Sequence, residues 1–335
     1  MSRKILYSRT SISRKPICRV TTTIVESEGK RWVEKTAAHP DAKKFLEAYP
    51  AKEQKLAQDL KGVLVIKSKF VDGKVVTPFI EGELLDDKFR QNLLDDKWEV
   101  CLELLLKVLK LIDMQKKSTQ DFSSNSEFIK VFGSAWAGQY QALELGYLDY
   151  NLDNLIQVGD KTYLIDYEFT FDFPLPVDMV KCRFLLSYLQ RYNQIFELLS
   201  KNHELTKLAV NFVVPTAWLK QPEISSILNK NLAKTLKSEF SFQTHFSVGY
   251  SGDGPIQKQI TNQVDKPAVF LIDKLELERA DHANELASLK IDIENLRTAN
   301  QSLNDYINRI HRLMPVKLIR NTRSLYKKVG RKRDQ

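Results

Sequence analysis

Apolar residues along this chain change their period twice, and each change marks a different kind of element. Between residues 19 and 37, RVTTTIVESEG and KRWVEKTA are β-branched runs joined at Ser27 to Lys30 with Gly29 in the turn, which predicts a β-hairpin. DAKKFLEAYPAKEQKLAQDL, about 41 to 60, predicts a helix, and VLVIKSKFVDGKVVTPFI, 63 to 80, predicts two more strands around Asp72 and Gly73. Residues 1–85 therefore read as a small sheet with one helix against it. From about 86 to 250 the pattern is mainly helical. WEVCLELLLKVLKLI predicts a long amphipathic helix with Leu102, Leu105, Leu106 and Leu109 on one face. Two short apolar runs, LDNLIQV and TYLIDYE, interrupt the helices and are joined at Gly159 and Asp160, a hairpin with polar residues at its ends.

The last third follows another rule. SGDGPIQKQITNQVDKP, 251–267, is rich in Gly, Gln, Asn and Pro and reads as a linker. Residues 268–314 then carry a heptad seam. With Leu289, Leu296, Leu303 and Ile310 at d, the a positions are Leu286, Ile293, Asn300 and Ile307. β-Branched a residues, Leu at d and one Asn at a are the preferences of a parallel two-stranded coil, so a homodimer is expected; the plainer reading is an amphipathic helix lying on its own domain. Pro315 ends or kinks the coil. In residues 315–335 Leu318, Ile319, Thr322, Leu325, Tyr326 and Val329 share a helical face flanked by Lys317, Arg320, Arg323, Lys327 and Lys328. A basic amphipathic tail of this kind lies on an anionic membrane surface, here through residues 316–335. Nucleic acid is the competing anion and is disfavoured, because phosphate binding needs no apolar stripe.

Composition sharpens this picture. The 335 residues are 43% apolar and 28% charged, enough for one large or two ordinary domains, and the net charge is +9. Eight Lys or Arg against one acid, Asp334, lie between Pro315 and Gln335, so most of the excess sits in the tail. Cysteines 18, 101 and 182 are odd in number and widely spaced, and the five histidines have no ligand spacing, which fits neither a disulfide framework nor a CxxC metal site. The basic N-terminus has only a three-residue apolar run, too short for a signal-peptide core. Leu208 to Leu219 comes nearest to a spanning segment, but Asn211 and Pro215 interrupt it. A cytoplasmic protein touching the inner face of the cell membrane from its surface is expected.

The candidate chemistry lies in LDYNLDNLI, 148–156, and YLIDYEF, 163–169. Asp149, Asn154 five residues on, and Asp166 twelve after that supply a carboxylate to accept a hydroxyl proton and two oxygen ligands for Mg²⁺. The intervening hairpin can bring the three polar heads to one edge. Their spacing resembles the catalytic loop and metal motif of the protein-kinase-like fold, and more closely its aminoglycoside phosphotransferase branch, where the metal Asp sits in a context like Ile165-Asp166-Tyr167-Glu168. That resemblance implies an α+β, two-lobed fold, with a β-rich lobe over 1–85 and a mainly helical lobe over 86–250, and the heptad seam adds a C-terminal coiled-coil helix after it. It implies that Lys35 contacts ATP phosphates and pairs with Glu53 on the next helix, and that the backbone at Phe79, Ile80 and Glu81 meets the adenine. Asp149 would be the base, with Asn154 and Asp166 holding Mg²⁺.

IDYEFTFDFPLPVDMV, 165–180, is similar to a segment of kinase-like domains in bacterial surface-polysaccharide enzymes, including those that terminate O-antigen chains and carry a C-terminal coil and a membrane-binding end. This implies phosphorylation of a glycan or lipid-linked saccharide. The alternative is a catalytically inactive kinase-like scaffold that recruits glycan-assembly enzymes, a glycosyltransferase among them, to the membrane. Two departures from the pattern stand out. YSRTSISRKPICRV contains no glycine where a phosphate loop is expected; its Ser11, Ser13 and Arg14 offer hydroxyls and charge, or simply form a solvated loop, the favoured reading. Tyr147 replaces a His that usually serves packing. Taken singly, Asp149, Asp166 and Asn154 are equally turn residues, and Lys35 with Glu53 a surface pair. Asp172 and Asp178 read as structural, Asp178 capping the helix that follows.

Overall fold

The computed structural model describes residues 3–199, 203–208 and 212–248. The expected linker, coiled coil and basic tail lie outside the described residues. Those described belong to one unit, within residues 1–268, and their fold is α+β, a sheet followed by a mainly helical region.

The amino-terminal sheet is built from β1 (Lys4–Thr10), β2 (Val20–Ser27) and β3 (Lys30–Ala37), followed by helices α1 (Lys43–Glu47) and α2 (Tyr49–Asp59), the short strand β4 (Leu64–Val65), then β5 (Lys69–Val71) and β6 (Lys74–Pro78). Its strands run in the order β1-β2-β3-β6-β5. Both expected hairpins form, and by one device. Glu28 and Gly29 join β2 to β3 with φ of 55° and 70°, and Asp72 and Gly73 join β5 to β6 with 50° and 76°. Two consecutive positive φ values give the turn whose twist matches that of the strands. The predicted helix over 41–60 is two helices broken at Ala48, just ahead of Pro50, and it buries Leu46, Tyr49 and Leu56. Strand β1 pairs with β2 from Lys4 to Thr10 at the edge of the sheet, where most of its residues are exposed.

The helical region opens with β7 (Glu83–Leu84), α3 (Leu85–Leu94) and α4 (Trp98–Asp113). The buried face of α4 is Trp98, Cys101, Leu104, Leu105, Val108, Leu109 and Ile112. Leu102 and Leu106, expected on that face, flank it. In a run this apolar a leucine triplet leaves the face ambiguous, and packing against the rest of the fold chooses. Next come β8 (Lys117–Asp121), α5 (Ser126–Phe132), β9 (Gln139–Leu143), β10 (Gly146–Tyr147), and the expected hairpin of β11 (Leu155–Val158) and β12 (Lys161–Leu164). This hairpin sits inside a four-stranded sheet of order β4-β12-β11-β7, which ties it to the amino-terminal region through β4. Strands β13 (Thr170–Phe171) and β14 (Leu175–Pro176) lead into α6 (Val177–Leu199). Asp178 lies within the first turn of α6 rather than ahead of it, where its charge favours the helix dipole. Strands β15 (Leu205–Lys207) and β16 (Val213–Pro215) and helices α7 (Thr216–Leu219) and α8 (Pro222–Phe246) complete the described chain.

The core under α3, α4 and α6 is aromatic: Phe89 packs against Tyr188, Tyr192 and Trp218, and Trp98 against Phe196. A second cluster, Phe132 with Phe171 and Phe242, fastens α8 to the strand beside the loop that carries Asp149. The three thiols are free and buried. No helix among the described residues is long and apolar enough to cross a membrane.

Candidate active site

The loop carrying Asp149 is fixed from both sides. Strand β10 pairs with β13 so closely that a Cβ on Gly146 would lie 2.2 Å from the Phe173 carbonyl oxygen, so only glycine allows the approach. Leu148 N–H then donates to the Phe169 carbonyl at 3.1 Å, and the Tyr188 hydroxyl accepts from Leu152 N–H at 2.7 Å. The β11–β12 hairpin returns the chain to the start of the loop: Ile165 N–H donates to the Asn154 carbonyl at 3.0 Å, and Asn154 Nδ2 donates to the Asp149 carbonyl at 3.1 Å. The Tyr147 hydroxyl lies 2.6 Å from the Asp149 carbonyl oxygen and 2.9 Å from that of Asp166. Tyr147 thus joins the two acidic segments and does the packing work that its departure from the resemblance had put in question.

Lys35 reaches the same place from β3, where it is paired with Thr22 and Val75. Its buried ammonium donates to Asp166 Oδ2 at 2.8 Å and to Glu168 Oε1. The Tyr49 hydroxyl donates to Asp166 Oδ1 at 2.8 Å. Arg14 enters from the loop after β1 and forms an ion pair with Glu168. Two expectations are corrected here. Glu53 does not hold Lys35; its carboxylate accepts from Ser68 N–H at 3.4 Å, because α2 turns it toward the β4–β5 connection. Arg14 is not part of a solvated loop, since Glu168 draws its guanidinium inward. Burial alone would push the Glu168 carboxyl up, but Lys35 and Arg14 outweigh it and bring it down to about 2. Burial likewise works against a charged Lys35, and the two carboxylates reverse the shift, raising its pKa.

Asp149 has one cation where Glu168 has two. Arg183 of α6 donates to Asp149 Oδ1 at 3.0 Å and, through Nε, to Glu239 of α8 at 2.8 Å. Burial dominates and, with repulsion from Asp166, pushes the Asp149 carboxyl up to about 6 against the pull of Arg183 and Arg14. A carboxyl at that position is ionised at neutral pH and still basic enough to accept a proton.

Arg14, Lys35, Asp149, Asn154, Asp166 and Glu168 line one cleft of about 950 Å³ whose walls come from the amino-terminal sheet and the hairpin, with Arg183 behind it. Of the residues expected from sequence, it brings together Lys35, Phe79, Ile80, Asp149, Asn154 and Asp166. Glu53 and Glu81 do not line it; the Glu81 side chain is 79% exposed, 3.7 Å from Arg31. Phe79 N–H is turned back to the Arg31 carbonyl at 3.4 Å. As metal ligands, Asn154 and Asp166 offer suitable chemistry. With Nδ2 committed to Asp149, Asn154 has its oxygen left to give, and Asp166 Oδ2 accepts only from Lys35 and retains a further lone pair, whereas Oδ1 already accepts from Tyr49 and from Glu168 N–H. Two hard oxygens suit Mg²⁺, which takes its other ligands from phosphates and water. Among the described residues no group of three or more His, Cys, Asp or Glu side chains forms a metal cluster. Arg14, Arg183 and Glu168 complete the charge arrangement; only Arg14 had been weighed from sequence as a phosphate-facing cation.

No protein-family model and no curated protein matches the chain. Among solved structures, it is similar to a thermostable mutant of aminoglycoside phosphotransferase APH(4)-Ia in ternary complex with ADP and hygromycin B, at 7% identity and a TM-score of 0.42, covering 80% of this chain and 91% of that one. It is similar to ADP-bound aminoglycoside phosphotransferase APH(2'')-Ib at 11% identity and 0.35, covering 79% and 93%. It is similar also to a type I macrolide 2'-phosphotransferase at 10% identity and 0.30, covering 59% and 76%. Each likeness is loose.

Proposed function

We propose that this chain is an ATP- and Mg²⁺-dependent kinase that phosphorylates a hydroxyl of a glycan or lipid-linked saccharide in bacterial cell-surface polysaccharide synthesis, working at the inner face of the cell membrane. The observation that carries the reading is the meeting of Lys35, Asp149, Asn154 and Asp166 in one cleft that also includes Phe79 and Ile80. Transfer to a hydroxyl demands little covalent chemistry of a protein and much positioning and charge. Asp149, near pH 6 and oriented by Arg183, accepts the proton of the attacking hydroxyl. Asn154 and Asp166 hold the metal, which would neutralise charge on the phosphates. Lys35, held by Asp166 and Glu168, would contact those phosphates. The saccharide acceptor rests on the resemblance of residues 165–180, and the membrane and dimer on the heptad and basic tail.

The test is incubation of the full chain with labelled ATP, Mg²⁺ and a membrane glycolipid extract. Label should enter a glycolipid, and Asp149→Ala should lower transfer at least about a hundredfold while ATP still binds by calorimetry. Label entering nothing, or undiminished transfer by Asp149→Ala, contradicts the reading. The glycine-free loop after β1 favours a second one, an inactive scaffold for glycan-assembly enzymes. That reading expects a glycosyltransferase to co-purify equally with the wild type and with Asp166→Ala.

A further inference from the structure

Lys35 is one cation against two carboxylates, Asp166 and Glu168, so a nucleotide polyphosphate entering this cleft needs positive charge from elsewhere. A glycine-rich loop would supply it through backbone N–H groups, which approach phosphate closely because no Cβ intervenes. Residues 1–28 contain no glycine. The loop after β1 is instead braced. Ser11 Oγ lies 3.0 Å from Val20 N and 3.1 Å from Val20 O; Arg14 N–H donates to Ser11 O at 3.1 Å, and Arg19 Nε donates to Arg14 O at 3.0 Å. The end of α8 clamps it from outside, with Lys15 N–H donating to Phe246 O at 2.6 Å and Val248 N–H to Ser13 O at 2.8 Å. What this bracing presents to the cleft is the Arg14 side chain, its Cζ 4.9 Å from the centre of the Phe169 ring and its Nη1 on the carboxylate that Lys35 shares.

We propose that Arg14 is a ligand of the nucleotide phosphates, delivering from a side chain the charge that a glycine loop delivers from its backbone, with Glu168 holding Arg14 and Lys35 side by side for one polyphosphate. The proposal rests on the nucleotide-binding reading above. A guanidinium has five N–H donors in a fixed fork, so contact with Glu168 leaves others to face phosphate oxygens. The same ion pair would look identical if it only fastened the loop to the body of the protein, and the two roles separate by ligand.

Calorimetry on the full chain with Mg²⁺ and ATP, ADP or adenosine distinguishes them. Arg14→Ala should weaken ATP and ADP binding by about tenfold or more, the loss expected for a charge-assisted contact, and leave adenosine affinity within about twofold. Arg14→Lys should recover part of the loss. If Arg14→Ala does not fold, Arg14→Gln, which keeps much of the length without the charge, carries the same outcomes. An equal fall for all three ligands, or no fall for any, overturns the proposal and leaves Arg14 a brace. Wild-type protein that binds neither ATP nor adenosine overturns the nucleotide reading itself, and the role of Arg14 with it.

Discussion

Glu168, buried, and Asp149, half-buried, are carboxylates lining one cleft, yet they sit at opposite ends of the carboxyl range. Desolvation pushes both upward. Glu168 meets Lys35 and Arg14, two cations, and stays ionised to about 2. Asp149 touches Arg183 alone, shares it with Glu239, feels Arg14 only from a distance, faces Asp166 as a like charge, and settles at about 6. Against a desolvation that raises both, the number of cations in contact separates the carboxylate that holds a charge as scaffold from the one that can trade a proton.

The comparison can be broken most severely at Glu168. Glu168→Gln leaves the buried Lys35 and the half-buried Arg14 with half their counter-charge, and thermal unfolding at pH 7 should show a loss on the order of 3 kcal/mol. Because the folded pKa lies below the usual value of 4.5, wild-type stability from this group is full above that value and is lost as pH falls toward 2. The penalty of Glu168→Gln should shrink over the same window.

Arg183→Gln acts on the other member. Removing the one cation on Asp149 should move the acid limb of the pH–rate profile above 6 and lower activity at pH 6.5, an effect a merely structural residue would not produce. Asp149→Asn should go the opposite way from Glu168→Gln. A folded pKa raised from 3.8 to about 6 means that stability present below pH 3.8 is lost as pH rises through 6. The amide should therefore gain about 1–2 kcal/mol over wild type at pH 8 and almost nothing at pH 4, while transfer is abolished. Tyr147→Phe, which unties the Asp149 and Asp166 backbones, should cost about 1 kcal/mol and lower kcat more than it raises KM.

The half of this arrangement carried by local pattern was legible in the chain. Ser27 to Lys30 and Gly159-Asp160 announced their hairpins because turn chemistry is local, and the second hairpin alone brings Asn154 and Asp166 together. Lys35 and Arg14 were named as cations, but the carboxylates that the cations meet were not legible. Arg14 and Glu168 are 154 residues apart, and Arg183 meets Asp149 only because α6 packs behind the catalytic loop. Glu53 shows the same limit from the other side. Its place on the helix after Lys35 is as expected, but which way α2 turns that face depends on the packing of Tyr49 and Leu56, and the partner of Lys35 comes from the Asp166 segment instead. Glu168 stood in plain sight as part of a motif; nothing in its spacing marked it as the residue two cations would share.

The most direct measurement is a carbon-detected NMR titration of the side-chain carboxyls, with Asp149→Asn and Glu168→Gln used to assign the two signals. Asp149 should titrate near pH 6, while Glu168 should remain ionised at pH 4. Asp149 titrating below about 4.5, in the ordinary carboxyl range, would remove the poised base and contradict the account.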